Sequence, residues 1–291
     1  MSDSGLDDFY SSENAHNWEQ LHNFHENRLK GGAQWVFRGQ GNHSWGLTSS
    51  LERQVTNLGL DQSDAPDIER GLLRRFKRQC HQYVDSVPRD NERLEWMALM
   101  QHHGAPTRIL DWTYSFFVAL FFALEDADKD GCAVWALNAD WMKQPFETIL
   151  ALHPAVLQSW KCDPRILLPD TFASIFLRYP PIPLVAAVNP QRLNQRLVIQ
   201  QGVFLCPGDV SNTFEAHLVA LLSQAASEVT ANFIKLTIQV DPATKRHILL
   251  RLHSMNMNSA TLFPGLDGFA RSLKTLMADS KKLLHPGYEY K

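Results

Sequence analysis

Two short stretches hold most of the side chains able to do chemistry. The first is Phe37-Arg38-Gly39-Gln40, in which a guanidinium leaves the end of an apolar, β-prone run just before a glycine. A side chain so placed reaches into whatever cleft lies at the strand end, and the glycine leaves room for a ligand or another backbone. The planar fork of arginine fits carboxylate or phosphate, so an anionic ligand is the functional reading of Arg38, with the Gln40 amide beside it. The structural alternative, an Arg38 bonded to carbonyls or to a carboxylate, fits the same residues equally well.

The second stretch, Gln101-His102-His103-Gly104-Ala105-Pro106-Thr107-Arg108-Ile109-Leu110-Asp111-Trp112-Thr113, sits between two runs built for a core. Asp111 and Thr113, two residues apart, suit an Asx-turn or the N-cap of a following helix. That reading leaves Gln101, His103, Thr107 and Arg108 without a partner and makes them candidate ligand contacts. Adjacent histidines on a helix point about 100° apart, so His102 and His103 cannot chelate one metal from that face, and no metal site is expected. A third stretch, Arg196-Leu197-Val198-Ile199-Gln200-Gln201-Gly202-Val203-Phe204, reads as a strand with the polar Gln201 before a glycine. An amide there recognises a ligand amide or hydroxyl, or simply satisfies neighbouring backbone. The Pro264-Gly265 turn reads as architecture. No GxSxG elbow, Walker A loop, GxGxxG turn or HExxH helix is present in the sequence.

The elements that must position these residues are mixed. Helices are expected over Asn14–Asn27, Ile68–Val84 and Glu92–His102, the second amphipathic with its cations outward. Gln34–Arg38 reads as a strand, Asn57–Asp67 as a loop, Asp111–Ser115 as a turn, and Phe116–Asp126 as a helix apolar almost all round, hence buried. In the second half, short β-prone runs at Ala133–Leu137, Leu184–Val188, Gly202–Cys206 and Phe233–Val240 alternate with helical patterns at Trp141–Leu152, Phe214–Ala225, Pro242–His253 and Leu266–Met277. The fold class this implies is α+β: one mixed domain over 15–291, a short-stranded β core packed with helices, preceded by a flexible leader at 1–14.

A net charge of −3 excludes a chain whose main task is to coat nucleic acid or anionic membrane, although a local basic patch stands at Arg74, Arg75, Lys77 and Arg78. Four cysteines without a CxxC pair point to a reducing compartment, and the acidic start offers no signal peptide. The longest apolar run, Phe116 to Leu124, is about half a membrane span. A soluble, cytoplasmic protein with no membrane partner is the expectation.

Taken together, Phe37 to Gln40 with Trp45 and Ser49-Ser50-Leu51-Glu52-Arg53, the block from Gln101 to Thr113 with Val118 to Leu124, the Arg196 to Phe204 segment, and Thr261 to Gly268 resemble the FRG-domain family, over about Gln34 to Leu276. Such domains occur in bacterial and phage proteins, and the resemblance supplies a fold expectation rather than a reaction. More weakly, an arginine ending an early strand, a Thr-bearing segment leading into an Ala-rich buried helix, and a late strand with a polar residue are similar to the three-motif layout of ADP-ribosyltransferases. What that similarity implies is NAD as substrate, with Arg38 holding its phosphate or ribose, Thr113 with Asp111 shaping the pocket and Gln201 at the place of the glutamate. The site expected in all has Arg38, Asp111 and Gln201 as catalytic residues and Gln40, Gln101, His103, Thr107, Arg108 and Thr113 binding the ligand. Gln201 departs from the layout by standing where a glutamate is expected, and Asp111 or Glu215 is the carboxylate able to substitute. The function so implied is a pocket for a nucleotide or other anionic small molecule, in an ADP-ribosyltransferase-like or NAD-processing effector of bacterial or phage conflict. Two alternatives remain: a ligand-sensing module without turnover, and a structural or protein-interaction domain in which Arg38, Asp111 and Arg108 form a buried ion-pair network.

Overall fold

The computed structural model describes residues 5–29, 32–127, 130–225 and 228–277. Its centre is one open, seven-stranded sheet. The strands are β1 (Ser11–Ala15), β2 (Trp35–Gln40), β3 (Leu110–Thr113), β4 (Cys132–Asn138), β5 (Val185–Val188), β6 (Gly202–Pro207) and β7 (Phe233–Ile238), in the order β1-β7-β4-β2-β3-β6-β5. Neighbours are antiparallel except β1 and β7. Helices cover both faces, which makes the architecture α+β, and β4 is accordingly buried along its whole length. One face packs Val134 and Ala136 against the Phe116–Glu125 and Pro242–Ser254 helices. The other packs Val36, Trp135 and Leu137 with the Ala139–Leu150 and Phe214–Leu222 helices. No helix among the described residues is long and apolar enough to cross a membrane.

The structure corrects four expectations. Ser11–Ala15 is an edge strand in register with β7, from Ser11 opposite Ile234 to Ala15 opposite Ile238, and Leu6 is buried ahead of it, so the leader does not extend to residue 14. An edge strand pairs its backbone without presenting an apolar face at every second residue, and Ser-Ser-Glu-Asn carries no pattern to read. Leu110–Thr113 is a strand, where a turn was expected to begin at Asp111. The cap of the buried helix is neither Asp111 nor Thr113 but Ser115, whose side chain accepts from the Val118 N–H at 3.3 Å. Finally, Arg196 to Phe204 is not one strand: a short helix, Gln195–Ile199, ends at Gln200, and Gln201 takes φ of 49° to turn the chain into β6. Left-handed residues commonly end helices in this way.

Gly39 has a definite structural task. A Cβ there would overlap the backbone carbonyl of Ala119 and stand within 2.7 Å of the Ala123 nitrogen. The glycine therefore lets another backbone, that of the Phe116–Glu125 helix, lie directly on β2, and the small residues Ala119 and Ala123 complete the close approach.

Candidate functional site

The sheet has a seam. β2 and β4 pair over six residues, from Trp35 with Asn138 to Gln40 with Ala133, whereas β2 and β3 pair only at Phe37 and Thr113. Past that pair the two strands part. Arg38 and Gly39 form one lip, Asp111 and Trp112 the other, and a cleft of about 250 Å³ opens between them, closed at its far side by Arg196, Phe263 and Arg271. Side chains alternate across a strand, so Phe37 and Gly39 face the Phe116–Glu125 helix while Arg38 faces the opposite way.

Arg38 crosses the seam. Its Nη1 donates to the Asp111 carbonyl at 2.6 Å, in place of the ladder bond the strands do not make. Among the described residues its buried Nε has no hydrogen-bond partner, and neither has Nε1 of Trp112, whose indole packs in the core behind the other lip. Buried donors are nearly always paired, so the orphan Nε of a cleft-lining arginine is an unmet demand for an acceptor oxygen. Burial, opposed in part by Asp111, lowers the Arg38 pKa below the usual guanidinium range.

Two further arginines come from elements remote in sequence. Arg196, on the Gln195–Ile199 helix, lies over the Phe263 ring with its guanidinium carbon 4.6 Å from the centroid. It has no ion pair among the described residues, and burial lowers its pKa with Asp111 opposing. Arg271, from the Leu266–Leu276 helix, stands 4.9 Å from the same ring and is held by Glu125 at 2.8 Å and by Asp126 at 3.3 Å. Arg271 is thus neutralised, and among the described residues Arg38 and Arg196 share one carboxylate without an ion pair, that of Asp111. Asp111 Oδ2 accepts from Gln101 Nε2 at 2.9 Å, and the residue is otherwise exposed to the cleft.

Of the residues expected from sequence, Arg38, Asp111 and Thr113 converge on the cleft, and Gln101 stands behind Asp111 in a smaller recess that shares Asp111, Arg196 and Gln200 with it. Thr113 is a brace: its hydroxyl donates to the Gln200 carbonyl at 2.6 Å and accepts from the Ser115 N–H at 3.0 Å. The other five lie elsewhere. Gln40 is buried between Trp135 Nε1, which donates to it at 2.7 Å, and the Gly46 carbonyl, so its amide is spent. Thr107 is buried and bonded to Gln101 and Ser50. His103 is exposed beside His102 and lines neither the cleft nor the recess. Gln201 is exposed at its left-handed turn, where its carbonyl accepts from Tyr114.

Arg108 is the largest correction. It is buried, its Nε donates to Glu69 Oε1 at 2.7 Å, its Nη2 pairs with Glu69 Oε2, and its Nη1 reaches the Phe176 carbonyl at 3.1 Å. Burial alone would lower its pKa, yet the Glu69 carboxylate raises it above the ordinary range. The expected network of Arg38, Asp111 and Arg108 does not form, because Arg108 has its own carboxylate and Arg38 takes a carbonyl. Glu215 is likewise engaged, accepting from the Leu47 N–H at 2.7 Å.

Arg196, Gln200, Phe263 and Arg271 are cleft residues that the reading of the sequence missed. Arg196 and Gln200 are four apart and would have fallen on one face had that run been taken as helical. Nothing in the chain signals that Arg271 returns to Arg38.

Fold and site together define an α+β domain with a cationic cleft at a seam in its sheet. Residues 33–132 match the family model described as the FRG domain. The matched residues supply both lips of the cleft and the helix beneath it, while Arg196, Phe263 and Arg271 lie beyond them. No curated protein and no solved structure matches the chain.

Proposed function

We propose that the cleft binds a phosphate-bearing nucleotide of the nicotinamide dinucleotide kind and breaks its nicotinamide–ribose bond. The observation that carries this reading is the half-buried, half-satisfied guanidinium of Arg38, whose Nε has no partner among the described residues, in a cleft that also holds Arg196, which has no ion pair among them. Arginine forks suit phosphate oxygens, and an anion would relieve the burial that lowers both guanidinium groups. A volume of about 250 Å³ takes one end of a dinucleotide and leaves the rest outside. The similarity to the three-motif layout is also supported in space: Arg38, Thr113 and the Gln200–Gln201 turn sit on or beside β2, β3 and β6, three neighbouring strands.

The chemistry follows from which carboxylate is free. As the glycosidic bond breaks, nicotinamide leaves with the bonding pair and the ribose becomes cationic; water or an acceptor nucleophile then adds and gives up a proton. Asp111, held by Gln101, is the group placed to stabilise that cation. Thr113 holds the wall on which Asp111 sits. The occurrence of similar domains in bacterial and phage proteins makes an effector of conflict between them the setting for such an activity.

One observation favours a second reading, a module that binds the nucleotide without turnover. Gln201, at the position of the expected glutamate, is neutral and faces solvent. Incubation with NAD and chromatography of released nicotinamide separates the two. Release by the native chain, its loss in Asp111→Asn with ADP-ribose binding retained, and loss of both in Arg38→Ala are the expected results. Binding without release establishes the second reading, and neither binding nor release by the folded native chain contradicts both.

A further inference from the structure

The Ala65–Gln79 helix carries five cations within nine residues, Arg70, Arg74, Arg75, Lys77 and Arg78, in a chain whose net charge is −3. Arg70, Arg74, Lys77 and Arg78 are spaced four, seven and eight residues along, so they share one face. Arg93, opening the neighbouring Arg93–His102 helix, faces them, and together they line a groove of about 700 Å³. It shares no residue with the Arg38 cleft.

The charge in this groove is only partly compensated. Arg70 pairs with Asp67, and Lys77 pairs with Asp90 at 3.3 Å while lying 4.9 Å over the Trp96 ring. Arg74 and Arg78 are exposed and have no ion pair among the described residues. Glu69, the carboxylate nearest in kind for Arg93, is committed to Arg108. Burial lowers the Arg93 pKa, with Arg108 and Arg70 adding to the effect and Glu69 opposing it. Like charges four apart on a helix destabilise it, so this stripe is costly to the folded chain.

Two further features have no packing explanation. Gly71 sits in mid-helix on the groove wall, where alanine would favour the helix, yet a Cβ there would meet nothing within 4 Å. The glycine leaves that wall of the groove open to close approach. Tyr83, five residues past Arg78, is 82% exposed, so its ring is available as a platform.

We infer that this groove binds the sugar–phosphate backbone of a single-stranded nucleic acid, with Arg70, Arg74, Arg78 and Arg93 on phosphates and Tyr83 stacking on a base. Four of the five groove cations are arginines, whose forks fit phosphate oxygens better than an ammonium does. A cationic groove on a helix that leads within five residues to an exposed aromatic ring is the pairing that single strands require, since it holds the backbone and a splayed base together. A membrane-lying helix would need its apolar side outward, whereas Leu73 of this helix is buried against Trp96 and Met100. An acidic protein partner would need an accessible apolar anchor site, and the one apolar side chain on the groove, Leu73, is itself buried.

Fluorescence anisotropy of the full chain with a labelled oligothymidylate of about 20 nucleotides tests this. Saturable binding at low salt that weakens steeply with added salt is expected, with Arg74→Glu/Arg78→Glu weakening it more than about tenfold and flattening the salt dependence. Tyr83→Ala should weaken binding severalfold at an unchanged salt slope, and Gly71→Ala should raise the melting temperature while weakening binding. If the charge reversal fails to fold, Arg74→Gln/Arg78→Gln replaces it with the same direction expected. The inference is overturned if the folded native chain leaves the oligonucleotide unbound, or if the folded charge variants bind it unchanged. It is overturned equally if polyglutamate or phosphatidylserine vesicles displace the label as well as unlabelled oligonucleotide does.

Discussion

Arg38 and Arg108, both within the stretch that matches the FRG-domain model, are arginines in opposite circumstances. Arg108 is closed: both sides of its fork meet Glu69, its remaining nitrogen meets a carbonyl, and burial is offset by a full partner. Arg38 is open: one nitrogen bridges the β2–β3 seam, and another is buried with no partner among the described residues. The difference separates a residue that holds the fold from one that costs the fold something and awaits a ligand. The same contrast divides the molecule into a saturated region around Arg108, Glu69 and Asp209, and an unsaturated one around the seam.

Breaking the closed region should have the largest effect. Arg108→Ala strands the Glu69 charge and should cost about 3–5 kcal/mol in urea denaturation, most of it recovered when Arg108→Met is combined with Glu69→Leu. Gly39→Ala comes next, at about 1–3 kcal/mol or more, because the new Cβ meets backbone atoms of Ala119 and Ala123 that cannot swing aside. Arg38→Ala should cost only about 1 kcal/mol, the worth of one hydrogen bond, as read by the same denaturation curves. An Arg38→Ala loss as large as that of Arg108→Ala would erase the distinction between the regions.

The smallest effect is a pH dependence of the closed region. Burial would raise the Asp209 pKa, but hydrogen bonds from His217 and Ser211 hold its carboxyl below the usual aspartate range. A folded pKa below the unfolded one contributes stability that is present above the ordinary aspartate value and lost as pH falls through the folded value. Melting temperatures measured through the acid range should fall less steeply in Asp209→Asn than in the native chain.

What the sequence made legible follows the physics of pattern. Phe116–Glu125 and β4 were readable because burial on all sides leaves unbroken apolar runs, and Arg38 was readable because a charge interrupts one. β1 was hidden by its polar edge, and β3 by a length of four residues with Asp111 in its middle. The cleft was half legible. Asp111 and Thr113 sit in the motif block and converge as expected, whereas Arg196 was obscured by reading a helix–turn–strand as one strand. Arg108, Thr107 and Gln40 share the polar character of ligand contacts, and only tertiary partners such as Glu69, Ser50 and Trp135 reveal that they are spent.

The central claim is that the open arginine marks a nucleotide site. Isothermal titration calorimetry of ADP-ribose into the native chain and Arg38→Ala tests it most directly. Saturable one-site binding by the native chain, weakened roughly 10- to 100-fold in a folded Arg38→Ala, is the predicted result, since charge-assisted hydrogen bonds contribute about 1.5–3 kcal/mol. Equal heats for the two chains, or none for either, would contradict it.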